Sequence, residues 1–337
     1  MKQILFFGDY YPYLSNDSLR NDVITKKLSR DGYSVSLISD AWCTVDKYSF
    51  VNFLPKESPH IENVFYADPV QSQYSNTQTA LIALASLVCS NSEVNYLFVS
   101  NFQKYGLIAE AVSSYFEVPI ITSFYSHNSI YALYETYSKA WFERYISKSE
   151  LLLTFVHHAQ LFNKYTDLTA IEDIYPYEYK ANDNFIDYNN TVVFGSVPNS
   201  LSSYLSRRIK ELECDSKLYL LIWGEKTSEV CKKVKETREI ELFTMNNGLG
   251  FIDALAGSIV FCTNLLLFDT APLAEQAILL LNLGAYPVIN NKTKLLLENY
   301  YIPKISKFTN ELYILTDLTS PADFAKINTS NILYGNK

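Results

Sequence analysis

Two α/β domains in series, each a parallel sheet with helices packed on it, is the fold class that the sequence predicts. Three observations predict it. The chain opens on a β-α-β pattern, a polar stretch interrupts the pattern past its middle, and the alternation of strands and helices then restarts. A length of 337 residues exceeds what one hydrophobic core usually fills, so each half is long enough to bury its own interior.

The opening unit is the clearest. Lys2-Gln-Ile-Leu-Phe-Phe7 is an apolar run of strand length, ended by Gly8-Asp9-Tyr10-Tyr11-Pro12. An amphipathic segment follows with Val23, Ile24 and Leu28 on one face, stopped at Asp31-Gly32, and Tyr33 to Ser39 is a second strand. Such a unit places ligand-facing loops at the carboxyl ends of its strands. The spacing next predicts a strand over 63–67, a helix over 77–88, a strand over 94–100, a helix over 101–116 and a strand over 117–123. Helices over 129–147 and 157–164 flank a strand at 151–155.

Between Tyr175 and Asn190 the sequence turns polar, with Pro176, Asn182, Asp183, Asn184 and Asp187, and this is the expected linker. The pattern resumes with strands at 191–194, 217–223, 257–262 and 285–289 and helices at 201–212, 228–236 and 272–283. The expected domains are therefore 1–175 and 190–315, with a C-terminal tail over 316–337.

Composition narrows the function classes. A formal charge of −8 without a basic tract leaves nothing to neutralise a phosphate backbone, so nucleic acid is not an expected partner. The five cysteines, Cys43, Cys89, Cys214, Cys231 and Cys262, are odd in number and contain no C-x-x-C pair, which reads as buried thiols in a reducing compartment, with no metal expected. No apolar run approaches the roughly 20 residues of a bilayer span, and the first strand is too short for a signal peptide, so a cytoplasmic protein is expected. Glycine is scarce at 10 residues, while Tyr and Phe number 27 and 20. Phosphate loops that need close backbone approach thus have few places to be.

The layout resembles the GT-B glycosyltransferases, specifically the retaining family 4-like (group 1) enzymes. The residues that carry the resemblance are Phe7-Gly8 and Tyr11-Pro12, the helix closed by Asp31-Gly32-Tyr33-Ser34-Val35, and Val118-Pro119-Ile-Ile-Thr122. In the second half they are Phe194-Gly195, Trp223-Gly224 and Leu283-Gly284-Ala285-Tyr286-Pro287-Val288-Ile289. The resemblance implies two Rossmann-like domains facing a cleft, the first on the acceptor side and the second holding a nucleotide-diphosphate sugar. It implies transfer of that sugar to a glycan, lipid-linked or protein acceptor, with retained configuration and no cofactor or metal, as in polysaccharide biosynthesis. Peripheral association with the inner face of the membrane or with a protein complex is left open beside the cytoplasmic expectation.

On that pattern the catalytic candidates are His127 and Glu275, and the donor-binding candidates are Gly8, Gly195, Ser196, Gly224, Glu225, Asp269 and Thr270. The physical logic is charge neutralisation of the leaving diphosphate, orientation of the sugar hydroxyls by carboxylates, and exclusion of water by the cleft. The sequence departs from the family at three places. Ser15-Asn16-Asp17 replaces the paired glycines of the first loop, Ser196-Val-Pro-Asn-Ser200 replaces the basic pair, and Asp269 and Glu275 are out of register with the paired glutamates. These losses motivate the rival reading, a non-catalytic GT-B-like partner or acceptor-binding subunit of a glycosylation complex.

Each candidate also has a plainer reading. His127 is a loop histidine with local hydrogen bonds, Glu275 complements a helix dipole, and Gly224 needs only a turn. His157-His158 point about 100° apart on a helix and do not share a metal easily. Arg207-Arg208 with Lys210 is a solvated helix face or a substitute anion site. The aromatic residues from Tyr131 to Tyr145 are core, an acceptor-stacking surface or a membrane contact.

Overall fold

In a computed structural model the described residues are 2–10, 16–39, 61–66, 77–124, 139–154, 171–172, 190–212, 217–237, 240–242, 255–268 and 274–319. The first half contains β1 (Gln3–Phe7), α1 (Asn16–Arg30), β2 (Ser34–Ser39), β3 (Asn63–Tyr66), α2 (Thr77–Asn91), β4 (Val94–Val99) and α3 (Phe102–Phe116). It continues with β5 (Ile120–Phe124), α4 (Lys139–Lys148), β6 (Ser149–Thr154) and β7 (Ile171–Glu172). Its seven strands form one sheet in the order β3-β2-β1-β4-β5-β6-β7, and every pairing is parallel. The order reverses between β1 and β4, the switch point beyond whose carboxyl strand ends such sheets commonly bind ligands.

Both faces of this sheet are covered, which is why its strands read as continuous apolar runs instead of alternating ones. Ile4 and Phe6 join one core and Leu5 and Phe7 the other, with Phe6 stacked on Phe98 at 4.7 Å between ring centroids.

The second half contains β8 (Asn190–Ser196), α5 (Ser202–Lys210), β9 (Lys217–Trp223), α6 (Thr227–Lys235), β10 (Glu241–Leu242), β11 (Ile259–Cys262) and α7 (Thr263–Phe268). It closes with α8 (Ala274–Asn282), β12 (Tyr286–Asn290), α9 (Asn291–Glu298), β13 (Ile302–Lys307) and β14 (Leu312–Thr319). The sheet order is β10-β9-β8-β11-β12-β14-β13. Its first five strands are parallel, and β14 and β13 add an antiparallel hairpin. The reversal here falls between β8 and β11. Two Rossmann-like domains are thus present, and α1 of the first packs on α8 of the second. One buried cluster runs through Phe6, Leu19 and Ile24 to Leu279, Leu280 and Phe194.

Several boundaries differ from expectation, each for a local reason. Glu117 is not in a strand: it caps α3 in the left-handed conformation with φ 57°, its N–H donating to Ser113 O, so β5 starts at Ile120. Asn101 precedes α3 as its N-cap, its Oδ1 accepting from the Lys104 N–H at 3.2 Å. Gly257 forms a turn against Gly284 O at 2.8 Å, which delays β11 to Ile259. β14 runs across residue 316, where a tail was expected to begin, and buries Leu315 and Leu318 against Ala277, Leu281 and Leu297. The polar edge strand β13, with Pro303, Lys304 and Lys307, carried no apolar signal strong enough to announce that hairpin. The expected linker over 175–189 and the helix over 157–164 lie outside the described residues, as does the start of the helix expected over 129–147.

Candidate functional site

The first switch point is built by β1, β4 and the helices that follow them. β1 delivers Gly8, Asp9 and Tyr10; β4 delivers Ser100 and Asn101; the first turns of α1 bring Asp17, Arg20 and Asn21. Residues 17 and 21 are one turn apart and share a helix face, with Arg20 beside them. That face is buried yet polar. Arg20 is among the largest fully buried side chains, and one guanidinium nitrogen donates to the Ser123 hydroxyl at the end of β5.

The two aspartates here, Asp9 and Asp22, are paired locally. Asp9 accepts from the Lys104 ammonium at 2.6 Å and from the Tyr105 hydroxyl at 2.9 Å. Asp22, also fully buried, accepts from the Tyr10 hydroxyl at 2.9 Å and from Lys26 at 2.6 Å. Asn21 donates its amide to the Asp9 carbonyl at 2.6 Å, and Asn101 donates to the Asp17 carboxylate at 3.3 Å. Burial pushes the Asp17 carboxyl up from its ordinary pKa, and the neighbouring Asp9 charge pushes it further. Arg20, the Asn101 hydrogen bond and Lys104 oppose that rise without cancelling it.

Gly8 sits at the centre of this arrangement. A Cβ at that position would collide with the Ser100 hydroxyl and stand 2.6 Å from the Asn21 amide nitrogen and 2.7 Å from the Phe6 ring. The space a side chain would take is occupied by polar atoms. Glycine is therefore dictated by close approach, since Gly8 is not among the residues with positive φ.

The second switch point is built differently. β8 ends at Gly195, whose φ of 136° and contact with Thr263 both demand glycine, and at the exposed Ser196. Gly224 ends β9 with φ 129°, and a Cβ there would stand 2.7 Å from the Val197 carbonyl oxygen. The two strand exits are tied together: Val197 N–H donates to Trp223 O at 2.7 Å, and Asn199 donates to the Glu225 carboxylate at 2.6 Å. Gly195, Ser196, Gly224 and Glu225 are thus brought to one rim, with Thr263 of α7 beneath it. Glu275 and Gln276 occupy the first turn of α8, both buried, Glu275 at 4% exposure. A solvated carboxylate merely complementing the dipole would be open to water, so burial separates Glu275 from that plainer reading.

Of the other expected residues, His127, Asp269, Thr270 and the pair His157-His158 lie outside the described residues. The basic cluster does not replace the missing phosphate pair. Arg207, Arg208 and Lys210 occupy the last turn of α5, at the amino edge of the sheet and away from the strand exits. There Arg207 and Arg208 reach Glu211 at 3.8 and 3.6 Å, and Arg208 donates to Leu266 O at 3.1 Å.

Asp9, Asp17, Arg20, Asn21 and Ser100 are the residues that the sequence reading did not single out. Their signal is present: at 17, 20, 21 and 25 a helix that must pack on a sheet carries polar residues at core-facing spacing. Among the described residues no cluster of three or more His, Cys, Asp or Glu could hold a metal ion, and no helix is long and apolar enough to cross a membrane. A shallow polar depression of about 550 Å³ between Lys2, Ser34, Glu62 and Glu93 lies at the amino edge of the first sheet, opposite the strand exits.

No family model matches the chain, and no curated protein matches it. Among solved structures it is similar to the UDP-GlcNAc 2-epimerase of Neisseria meningitidis bound to UDP-GlcNAc, at 11% identity over 78% of this chain and 77% of that one, with a TM-score of 0.49. The UDP-GlcNAc 2-epimerase of Methanocaldococcus jannaschii is similar at 11% identity, over 83% and 82% of the two chains, with a TM-score of 0.49. MurG of Acinetobacter baumannii is similar at 9% identity, over 78% and 71%, with a TM-score of 0.41. At these values the likeness says nothing about activity, and the two-domain architecture stands on strand order and packing.

Proposed function

We propose that this chain is a glycosyltransferase of GT-B type, moving a sugar from a nucleotide-diphosphate donor to a glycan, lipid-linked or protein acceptor. The observation that carries the reading is the pair of Rossmann-like switch points, each lined by polar side chains and joined through α1 and α8. In such domains ligands bind above the carboxyl ends of the strands where the order reverses. The donor belongs to the second domain on this reading. Ser196, Thr263 and the rim at Gly195 and Gly224 offer hydroxyl and backbone donors to a diphosphate, and Glu275 offers a buried carboxylate to sugar hydroxyls. His127, Asp269 and Thr270 remain candidates from the sequence pattern.

Calorimetric and thermal-shift screening of the purified protein against nucleoside diphosphates and their sugar conjugates tests the reading. Saturable binding of one nucleotide, weakened by Glu275→Gln, is expected. The absence of a basic pair after Gly195 favours the non-catalytic partner as the second reading. Absence of binding at millimolar ligand across the panel would shift the assignment to that partner.

A further inference from the structure

We propose that the outward face of α2 and α3 docks a second copy of this chain about a two-fold axis, making the protein a reversible homodimer joined through its first domain. This pairing is independent of the transferase reading above.

α2 and α3 lie side by side over Leu5, Phe7 and Leu97, on the opposite face of the first sheet from α1. Each is 15 residues long. Each also runs back from the carboxyl edge to the amino edge between parallel strands, so the two helices are parallel and level, with residue 84 beside residue 109. The side chains turned away from the sheet recur at every fourth position: Thr79, Ala83, Leu87 and Asn91 on α2, and Gln103, Leu107, Ala111 and Tyr115 on α3. Leu87 is 60% exposed, Leu107 40% and Tyr115 81%.

This face presents no outward charge. α2 contains no Asp, Glu, Lys, Arg or His, and the two charged side chains of α3 are turned aside, Lys104 to Asp9 at 2.6 Å and Glu110 to Arg144 at 2.8 Å. In a chain of net charge −8, an apolar face without charge is one that a like copy meets without repulsion.

The order of side-chain sizes selects that copy as the occupant. A two-fold pair with its helices antiparallel lays α2 on the α2 of the other copy and α3 on its α3. About residue 109, Leu107 of one copy falls on Ala111 of the other, and Tyr115 on Gln103. About residue 85, Leu87 falls on Ala83, and Asn91 on Thr79. Large meets small at the central pair of both helices, and the two centres are about 1.5 Å from level. The ends match as well. Neither helix has an acidic residue in its first turn, and the exposed Glu93 and Glu117 beyond their last turns come to the helix N-termini of the other copy, where negative charge is favoured. A lipid surface is the poorer occupant, because helices that lie on anionic membranes flank their apolar face with Lys and Arg, and the flanking charges here are Glu93 and Glu117. Two helices of about 22 Å set about 10 Å apart make a small interface, so a dissociation constant on the order of 10 µM is expected.

Sedimentation equilibrium of the full chain between about 1 and about 500 µM measures the association, and circular dichroism melting checks that each variant is folded. Leu107→Glu is expected to weaken the dimer roughly 50-fold or more, and Leu107→Ala or Ala111→Leu alone about five-fold. Leu107→Ala combined with Ala111→Leu is expected to return the wild-type dissociation constant within about three-fold, because the exchange keeps large against small across the axis. Recovery of that kind supports a copy-on-copy face. A wild-type protein that stays monomeric throughout the range overturns the proposal, and its co-sedimentation with phosphatidylglycerol vesicles in that case assigns the face to a membrane. A dimer indifferent to Leu107→Glu, or a double exchange no tighter than its single variants, overturns it equally.

Discussion

The two switch points occupy equivalent places in two similar sheets and are built on opposite principles. At β1 and β4 the charges are inside: Asp9 and Asp22 are buried and paired with Lys104 of α3 and Lys26 of α1, and the buried Arg20 donates to Ser123 of β5. At the exits of β8 and β9 backbone and hydroxyl groups do the lining and Glu225 is exposed, with the buried Glu275 set apart in the first turn of α8. Even the glycines differ in kind. Gly8 is required by what surrounds it, Gly224 by its own φ of 129° and by a carbonyl that cannot withdraw. The first region is a preorganised polar interior, and the second is a rim that a charged ligand can approach without displacing an existing ion pair.

The contrast can be broken most strongly at the glycines. Gly224→Ala combines left-handed strain with a backbone collision and is expected to cost about 3 kcal/mol in urea unfolding. Gly8→Ala meets side-chain atoms, some of which can give, and is expected to cost about 2 kcal/mol. A larger loss at Gly8 than at Gly224 would reverse the distinction between them. Asp9→Asn leaves Lys104 without its carboxylate and is expected to cost about 2 kcal/mol, read in the same way.

The Asp17 carboxyl sharpens the contrast through pH. Its native pKa is raised, so between the ordinary carboxylate value and the native one the folded state holds more protons than the unfolded, and stability falls as pH rises through that window. Asp17→Asn removes the ionisation. The variant is expected to unfold at higher urea than wild type at pH 7.5, with the gap closing toward pH 4; a gap that widens on acidification would contradict a raised pKa. The smallest effect belongs to the second domain's surface. Glu229, whose pKa is lowered by hydrogen bonds from Lys233 and Lys226, is half-exposed on the surface, and Glu229→Gln is expected to move the unfolding midpoint hardly at all, and less still in high salt.

Much of the fold was legible because parallel strands covered on both faces leave long apolar runs, as in Gln3–Phe7 and Lys217–Trp223. The hairpin of β13 and β14 was not, because an antiparallel edge with Pro303 and three polar positions has neither a continuous run nor a clean alternation. The site was legible only on its glycine rim. Gly195 and Gly224 end apolar strands and stand out, whereas Asp17, Arg20 and Asn21 share the spacing of the core-facing Ile24 and Leu28, a signal that becomes a site only once the neighbouring strands are known. The Arg207-Arg208-Lys210 cluster is the converse case, and it is the solvated helix face that the sequence allowed. Its charge is plain in the sequence, but its position in the last turn of α5 takes it to the wrong edge of the sheet.

By itself the sequence determined the local periods: which segments are strands, which are helices, and that the pattern runs twice. Those follow from side-chain spacing along the chain, which needs no partner to be read. Only the tertiary structure decided the strand order that puts β1 beside β4, and with it the meeting of Gly8, Asp17, Asn21 and Ser100. Residues that meet at a sheet's reversal point come from segments far apart in sequence, and which edge of each strand pairs with which is settled by burial on both faces at once.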